Sequence, residues 1–188
     1  MRALVTGGAK RLGREISVYL ANRGYDVAIH YNNSESEALD LAKEINSLGQ
    51  VSKCIKGNLL VEDQVKDLVP AASEAIGGPI SILVNNASIF EYDSFEDATR
   101  ESWDRHIESN LRAPFVLTQA FARQSPSLVL DNKNEPISQG LVLNMIDQRV
   151  KKLTPDFASY TIAKMGLWAL TQTCLLYTSP SPRDNSGS

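Results

Sequence analysis

The sequence predicts an α/β protein built on a doubly wound parallel sheet. Two observations predict it: short apolar runs alternate with longer segments of helical periodicity, and the joins between them are short. Strands that alternate with helices in this way lie parallel, with helices on both faces. A chain of 188 residues, 43% of them hydrophobic, suffices to bury the core of one such domain.

Each element follows from a local pattern of apolar and turn residues. Gly24 and Gly49 end the first two helices, because glycine readily adopts the left-handed conformation that follows a helix. Polar, proline-bearing residues 124–139 predict a surface loop. Strands are predicted at residues 2–6, 27–31, 51–55, 80–84 and 141–146. Helices are predicted at residues 12–23, 36–48, 61–75, 102–123 and 157–173.

Charge and composition exclude several classes of protein. A net charge of -3 without a basic run argues against binding nucleic acid or an anionic membrane. No apolar run approaches the roughly 20 residues that span a bilayer, and no secretion signal precedes the first strand. Cys54 and Cys174 are far apart and lack metal-ligand spacing. The sequence therefore predicts a cytoplasmic protein that has no metal and acts on a small-molecule substrate.

The first strand leads into a glycine-rich turn, Thr6 to Gly13, and then a helix. Gly7 lets the backbone approach a pyrophosphate, and Gly13 lets the new helix, which begins at Leu12, pack close to the sheet. An ordinary tight turn is the alternative. A P-loop would require Lys and Ser or Thr after Gly13, but Arg14 and Glu15 follow, so that interpretation fails. The turn predicts a dinucleotide site.

The second strand predicts NADP(H) as the dinucleotide. NAD sites usually have an acidic residue near this strand end, but no carboxylate occurs here before Glu35. Lys10 and Arg11 in the turn could meet a 2′-phosphate, although both could instead be solvated surface residues. The strand end assigned to the cofactor comprises His30, Tyr31, Asn32, Asn33 and Ser34.

Tyr160 and Lys164 share one face at the start of the last helix. An ammonium about 4 Å from a phenol is worth roughly 4 kcal/mol at an effective dielectric near 20. Such a contact could lower the pKa of the hydroxyl from about 10 by as much as about 3, into the range useful for acid–base catalysis. We therefore expect Lys164 to lower the pKa of Tyr160.

Further polar residues occur where the predicted strands and the long helix place them near this pair. The fourth strand leads into Asn85-Asn86-Ala87-Ser88, Asn110 lies in the long helix, and Asp147 follows the fifth strand. Together with Thr-Gly-x-x-x-Arg-x-Gly and Tyr160-x-x-x-Lys164, this order of motifs resembles the short-chain dehydrogenase/reductase family, over residues 2–173. At three positions the residues, Arg11, Ser88 and Asp147, resemble those of the pteridine reductases and their bacterial relatives within that family.

The resemblance implies a Rossmann fold and a role for each matching residue. Tyr160 would exchange a proton with substrate, Lys164 would lower its pKa and hold the nicotinamide ribose, and Asn110 would support a water-linked proton relay. Asn85 and Ala87 would line the adenosine and ribose channel, together with Asn86 and Ser88. Asn58 and Leu59 would neighbour the adenine, but most members have Asp at position 58, which weakens that assignment. Family members assemble as homodimers or homotetramers, which we expect of a full-length parent.

Asp147 stands where most members of that family carry a catalytic serine. A carboxyl group can deliver a proton to a ring nitrogen, which a serine hydroxyl does poorly. A C=N bond in a pterin-like ring is therefore a credible substrate, alongside a ketone or 3-oxoacyl compound. The alternative is an ordinary aspartate at a strand end, with Tyr160 alone as the acid.

The end of the chain resembles a translated sequencing-library adapter. The string begins at Cys174 and continues Leu-Leu-Tyr-Thr-Ser-Pro-Ser-Pro-Arg-Asp. A genuine disordered Ser/Pro-rich tail is the alternative. We therefore divide the chain into an NADP-binding Rossmann domain at 1–173, which lacks the last strands of the family, and an artefactual or disordered tail at 174–188. On this interpretation residues 1–188 fold poorly and turn over little substrate, whereas a full-length parent is active.

These observations predict an NADPH-dependent oxidoreductase that transfers hydride to a C=O or C=N bond. Asn110, Asp147, Tyr160 and Lys164 form its predicted active group. A nucleotide-binding regulator or fragment without catalysis is the competing interpretation. The Tyr160–Lys164 pair argues against it, because a regulator has no need of that pair.

Overall fold

Five parallel strands form the sheet of the computed structural model, which describes residues 1–124 and 129–178. Their order across the sheet is β3-β2-β1-β4-β7, so the chain first builds outward from β1 on one side and then on the other. A separate hairpin is formed by two short antiparallel strands, β5 and β6. The strands are β1 (Arg2–Val5), β2 (Asp26–Tyr31), β3 (Ser52–Lys56), β4 (Ile82–Asn85), β5 (Val129–Leu130), β6 (Pro136–Ile137) and β7 (Leu141–Asn144).

Helices cover both faces of the sheet, as the alternating pattern predicts. Successive residues of β1 point to opposite faces. Leu4 packs in the core under α3 and α5, whereas Ala3 and Val5 pack in the core under α1 and α2. The helices are α1 (Arg11–Asn22), α2 (Glu35–Ser47), α3 (Glu62–Ala75), α4 (Arg100–Ile107), α5 (Ala113–Arg123) and α6 (Ala158–Thr178). The prediction of a doubly wound parallel sheet is therefore confirmed.

The predicted long helix at 102–123 is interrupted by a π-helical segment, Glu108–Arg112, between α4 and α5. Pro114 explains the position of this segment, because it has no N–H to donate to the carbonyl of Asn110 one turn earlier. Asn110 lies inside this segment and is fully buried. Hydrophobic periodicity carries no sign of such an interruption.

Two segments differ from the predicted boundaries. The predicted loop at 124–139 contains the β5–β6 hairpin, and the side chain of Gln124 faces inward, where its Oε1 accepts a hydrogen bond from Ser73 Oγ at 2.7 Å. The last helix, α6, extends through Thr178, beyond the predicted domain end at residue 173. Residues 125–128 of that loop and 179–188 of the predicted tail lie outside the described residues. In the described part of the chain, no helix has the length and apolar character that crossing a membrane requires.

Candidate active site

The carboxyl ends of the central strands and the start of α1 and α6 lie at one edge of the sheet. β1 leads there into the glycine turn, β4 into Asn86, and β7 into Asp147. In doubly wound folds, ligands bind in the crevice outside this edge. The topology therefore brings together the predicted cofactor turn and the predicted catalytic group.

The glycine turn has a backbone that only small residues permit. Gly7 has φ +59°, in the left-handed region. A Cβ added at Gly13 would lie 2.1 Å from the carbonyl oxygen of Gly7, so α1 begins in direct contact with the turn. The first amides of α1 have no carbonyl partner within the helix, and the helix dipole is positive at this end. This cradle fits a pyrophosphate.

His30 lies under the turn rather than on its open side. Its Nδ1 accepts a hydrogen bond from the backbone N–H of Gly7 at 3.0 Å, and its Nε2 lies 3.0 Å from the carbonyl oxygen of Gly57. The ring is 2% exposed, and burial lowers its pKa to about 4. The ring of His30 therefore does not face the crevice, contrary to the contact that we expected, and instead supports the turn from below.

The segment after β4 braces the same turn. Asn86 Nδ2 donates to the carbonyl oxygens of Thr6 and Gly7, at 2.9 and 3.2 Å. Ala87 lies against Gly7, where an added Cβ would be 3.1 Å from its Cα. Asn85 is buried and donates from Nδ2 to Asn144 Oδ1 on β7, so its side chain does not line an open channel as expected. Asn85 instead ties β4 to β7.

Two cationic side chains, those of Lys10 and Arg11, lie in the glycine turn at the start of α1. Lys10 Nζ lies 2.5 Å from Glu37 Oε1 at the start of α2, and both side chains are about half exposed. Arg11 is exposed and has φ +52°, which is unfavourable for a residue with a side chain. Either cation could reach a phosphate from this position, but Lys10 would have to leave Glu37. The carboxylate of Glu37 is a site feature that the sequence analysis missed.

The remaining residues that were predicted to contact the cofactor differ in how far their side chains are buried. Tyr31 is buried and donates from its hydroxyl to Glu35 Oε1 at 3.1 Å, and Leu59 is part of the core. Their side chains are thus directed inward, and any cofactor contact would involve the backbone. Exposed members are Leu12, Asn32, Asn33 and Ser88, and partly buried members are Ser34 and Asn58.

Tyr160 and Asp147 are in direct contact. The Tyr160 hydroxyl donates to Asp147 Oδ2 at 3.0 Å. Asp147 begins a short 3₁₀ turn, Gln148–Val150, in which its Oδ1 accepts from the N–H of Arg149 at 2.8 Å. Lys164 lies one turn along α6 from Tyr160, and its Nζ donates to the carbonyl oxygen of Met145 at 2.9 Å. The structure thus brings together three of the four residues of the predicted active group.

The pKa of Tyr160 is raised rather than lowered, which contradicts our expectation. Burial and the charge of Asp147 raise it to about 12. The Lys164 ammonium lies 5.7 Å from the centre of the Tyr160 ring, and its hydrogen bond goes to the Met145 carbonyl oxygen after β7 rather than to the Tyr160 hydroxyl. Burial lowers the pKa of Lys164 to about 8. Helical spacing placed the two residues on one face, but the spacing could not predict the direction of the lysine.

Asn110 fastens the loop that follows β4. Its Oδ1 accepts from the N–H of Ile89 at 2.9 Å, and its Nδ2 donates to the carbonyl oxygen of Ile89 at 2.8 Å. Ser88 Oγ lies 3.3 Å from the same Oδ1. Both polar groups of the Asn110 side chain are therefore occupied by the loop. Its role in a water-linked relay stays a prediction.

Aromatic and cationic side chains form one wall beside Tyr160. The rings of Phe90 and Phe157 stack with centroids 4.3 Å apart, and Phe90 meets Tyr160 edge-on at 4.8 Å. The Arg149 guanidinium lies 4.6 Å from the centre of the Phe157 ring, and its Nη1 is 3.6 Å from Asp147 Oδ1. The sequence carries no sign of this wall, because isolated phenylalanines in loops have no periodic pattern.

Comparison with known proteins identifies the family. The short chain dehydrogenase family model matches residues 1–180. The chain is 40% identical to alternative dihydrofolate reductase 1 FolM from Brucella suis, whose structure in complex with NADP superposes with a TM-score of 0.85 over 95% of this chain and 70% of that one. A Burkholderia cenocepacia short chain dehydrogenase in complex with NADP is 31% identical, with a TM-score of 0.81 over 92% of this chain and 66% of that one.

Among curated relatives, the 3-oxoacyl-acyl-carrier-protein reductase FabG of Staphylococcus epidermidis is 30% identical over 171 residues, which are 91% of this chain and 66% of that protein. The chain therefore spans just under two thirds of the length of this relative. A likeness of this extent, together with the family match, shows that the chain belongs to the short-chain dehydrogenase family and has its Rossmann fold.

Proposed function

We propose that this protein is an NADPH-dependent reductase that transfers hydride to a C=O or C=N bond. The observation that carries the proposal is the contact between the Tyr160 hydroxyl and Asp147 at the sheet edge that also holds the glycine turn. A proton donor, a carboxylate and a dinucleotide cradle at one crevice are the parts that such a reduction requires.

NADP(H) fits the residues that surround the turn. The first amides of α1 would face a pyrophosphate, and Lys10 and Arg11, at the start of this helix, would supply cations to a 2′-phosphate. NADP is also the ligand in the complexes of the Brucella and Burkholderia relatives. When bound, this cofactor supplies the hydride.

Tyr160 holds the proton that would balance the hydride. With a pKa of about 12 it keeps its proton at neutral pH, and its hydroxyl needs only to turn from Asp147 to a substrate atom. The resulting phenolate would lie beside the Asp147 carboxylate. Since two adjacent negative charges repel, the pair regains a proton readily from solvent. Hydride at carbon and a proton at oxygen or nitrogen complete the reduction.

The substrate class that we favour is a planar ring with a C=N bond, such as a dihydropterin. Asp147, which accepts a hydrogen bond from the Tyr160 hydroxyl, can relay the proton of Tyr160 to a ring nitrogen. The exposed face of Phe90 beside Tyr160 offers a surface on which a flat ring can stack. The likeness to FolM, named as an alternative dihydrofolate reductase, supports this class, whereas the likeness to FabG supports a 3-oxoacyl substrate.

The assay compares two substrates at equal concentration, a dihydropterin and a 3-oxoacyl thioester, by the loss of NADPH absorbance. It is run with residues 1–188 and, in parallel, with the protein product of the whole gene from which these residues are translated. We expect faster reduction of the dihydropterin. NADPH binding, followed by fluorescence, without reduction of either compound would instead indicate a nucleotide-binding protein without catalysis.

Two variants of the active group serve as controls for this assay. Tyr160→Phe removes the proton donor and keeps the ring, so we expect about a 100-fold loss of turnover with unchanged NADPH affinity. Asp147→Ser replaces the carboxyl group with a hydroxyl that can hold a carbonyl, so we expect the ratio of dihydropterin to ketone turnover to fall about tenfold. An unchanged ratio would remove Asp147 from the proposal.

A further inference from the structure

Three polar residues outside the proposed active group form a buried cluster next to Tyr160. His106 on α4, Asp93 in the loop after β4, and Ser159 in α6 are each at most 3% exposed. His106 Nδ1 lies 2.6 Å from Ser159 Oγ, and Ser159 Oγ contacts Asp93 Oδ2. Ser102 Oγ also donates to Asp93 Oδ2, at 3.1 Å. Buried polar groups of this kind persist only when their hydrogen bonds are satisfied.

The direction of each hydrogen bond in the cluster is determined. The backbone N–H of Glu91 donates to His106 Nε2 at 3.1 Å, so this nitrogen carries no proton. A neutral imidazole then carries its proton on Nδ1, which donates to Ser159 Oγ. The Ser159 hydroxyl in turn donates to the Asp93 carboxylate. The result is a single directed chain from Glu91 N–H through His106 and Ser159 to Asp93.

This arrangement does not suit nucleophilic catalysis. A serine nucleophile donates its proton to histidine, which is oriented by the carboxylate. Here the serine accepts from histidine and donates to the carboxylate, and the other histidine nitrogen is occupied by Glu91. All three side chains are also closed off from solvent. The cluster therefore serves geometry and not a hydrolytic reaction.

The cluster fixes the point where α6 begins. Asp93 Oδ1 accepts from the backbone N–H of Ser159 at 3.2 Å, and the Asp93 carbonyl oxygen accepts from Phe157 N–H at 2.6 Å. Phe157 has φ +59°, a costly conformation for a bulky residue that persists only where surrounding contacts hold it. Ser159 directly precedes Tyr160, and the His106 ring lies edge-on to the Tyr160 ring at 5.9 Å.

We propose that His106 and Ser159 are positioning residues that hold Tyr160 in the orientation from which its hydroxyl delivers the proton. The proposal rests on the proposed reductase function for its kinetic consequence, but the positioning itself is measurable without turnover. His106 on α4, Asp93 in the β4–α4 loop and Ser159 in α6 are linked by hydrogen bonds. The loss of any one of these links frees the start of α6. The Tyr160 ring would then move relative to Asp147.

The first test is nuclear magnetic resonance of the histidine side chains. The chain has two histidines, and the structure assigns them opposite tautomers. His30 accepts at Nδ1 from Gly7 and therefore carries its proton on Nε2, whereas His106 carries its proton on Nδ1. A His30→Asn variant assigns the signals. An Nε2–H tautomer at His106 would overturn the proposed chain.

The second test follows the Tyr160 ring signals, assigned with Tyr160→Phe. Ser159→Ala is expected to shift them, because the ring loses its support. Ser52→Ala is the matched control: Ser52 is equally buried and donates to the Val27 carbonyl oxygen at 2.9 Å, but it lies at the opposite end of the sheet. If Ser159→Ala destabilises the protein yet leaves the Tyr160 signals unmoved, the residue is merely structural and the proposal fails.

The third test is a double-mutant cycle on turnover. We expect Ser159→Ala to lower kcat about tenfold with little change in KM when Tyr160 is present, and by less than about twofold in the Tyr160→Phe background. Equal losses in both backgrounds would contradict an action through the Tyr160 hydroxyl. His106→Asn keeps a donor at the position of Nδ1 and should retain more activity than His106→Leu. Absence of turnover in every form, with the expected resonance shifts, would refute the reductase function and leave the positioning intact.

Discussion

At Arg11 the backbone adopts φ +52°, where a side chain costs about 1 kcal/mol more than glycine does. We expect a residue that is strained in this way in the glycine turn to have a compensating role, and a contact between Arg11 and a 2′-phosphate would provide one. We predict that Arg11→Gly and Arg11→Ala both weaken NADPH binding about tenfold, because each removes the cation.

The two Arg11 variants should differ in stability. Arg11→Gly relieves the strain and Arg11→Ala retains it, so urea unfolding should find the glycine variant more stable than the alanine variant by about 1 kcal/mol. Equal stabilities would mean that the left-handed conformation at position 11 carries no cost. Unchanged NADPH affinity in both variants would show that Arg11 is a solvated surface residue.

Burial and Asp147 together raise the pKa of Tyr160. Burial first, and then the charge and hydrogen bond of Asp147, raise the pKa of the phenol to about 12. We predict that Asp147→Asn lowers the pKa of Tyr160, while burial keeps it above its usual value of about 10. The ultraviolet absorbance of phenolate, taken as the difference from Tyr160→Phe, measures this pKa. A rise in the Asp147→Asn variant would contradict the assigned cause.

Among the elements, the π-helical segment and the loop after β4 depend on one side chain. Asn110 satisfies both backbone polar groups of Ile89 from a fully buried position. We predict that Asn110→Ala lowers the free energy of unfolding by about 3 kcal/mol, because two backbone groups lose partners that a fully buried side chain supplies. Denaturant unfolding measures the change.

Asn46→Ala is the matched control for Asn110. The Asn46 amide likewise exchanges two hydrogen bonds with one backbone unit, that of Ser52, but Asn46 is exposed. Because the Asn46 side chain is exposed and already partly solvated, we expect a smaller loss of about 1 kcal/mol. A cost for Asn110→Ala no larger than this would show that the loop after β4 does not depend on Asn110.

The glycine turn should make stability depend on pH through His30. Burial lowers the pKa of His30 to about 4 in the folded protein, whereas an unfolded histidine has a pKa near 6.5. The unfolded chain therefore binds more protons between these values, and stability falls as the pH drops from 6.5 to 4. The contribution of His30 to this fall is about 3 kcal/mol.

His30→Asn isolates that contribution. An asparagine Oδ1 can accept from Gly7 N–H in place of Nδ1, but it does not titrate between pH 4 and 6.5. Unfolding free energies measured across this range should therefore fall less steeply for the variant than for the unaltered protein. If the unfolding free energies of the variant and the unaltered protein fall equally steeply with pH, the ring of His30 is not buried in neutral form.

At the scale of the whole molecule, β7 forms an exposed border of the sheet. In the part of the chain that the structure describes, β7 pairs with β4 on one side only, and Leu141 and Leu143 are 54% and 44% exposed. An apolar strand with an unpaired edge favours association with other chains. We predict that residues 1–188 self-associate and that Leu143→Lys reduces this, as measured by light scattering across a concentration series.

Leu39→Lys is the control for that substitution, because Leu39 is 48% exposed but belongs to α2 and not to a strand. It should leave self-association unchanged. If both lysine substitutions reduce association equally, the effect comes from net charge rather than from the edge of β7. The predicted poor folding and low turnover of residues 1–188 are measured in the same samples, by circular dichroism and by the NADPH assay.

The sequence by itself determined the alternating strands and helices of the parallel sheet and the glycine turn, and it supplied the four residues of the proposed active group. The sheet, the turn and the Tyr160–Lys164 pair rest on local rules: hydrophobic periodicity, glycine at positive φ, and helical spacing. The roles of Asn110 and Asp147 came from the family resemblance. Motif order then pointed to the short-chain dehydrogenase family, which the family match confirmed.

Only the tertiary structure decided where each polar atom points and which groups are buried away from water. It turned Lys164 toward Met145, so that burial and Asp147 raise the pKa of Tyr160 instead of lysine lowering it. It placed His30 beneath the turn, and it joined His106 to Ser159 across more than 50 positions of sequence. Desolvation and hydrogen bonding depend on neighbours that are distant along the chain, and no local pattern contains them.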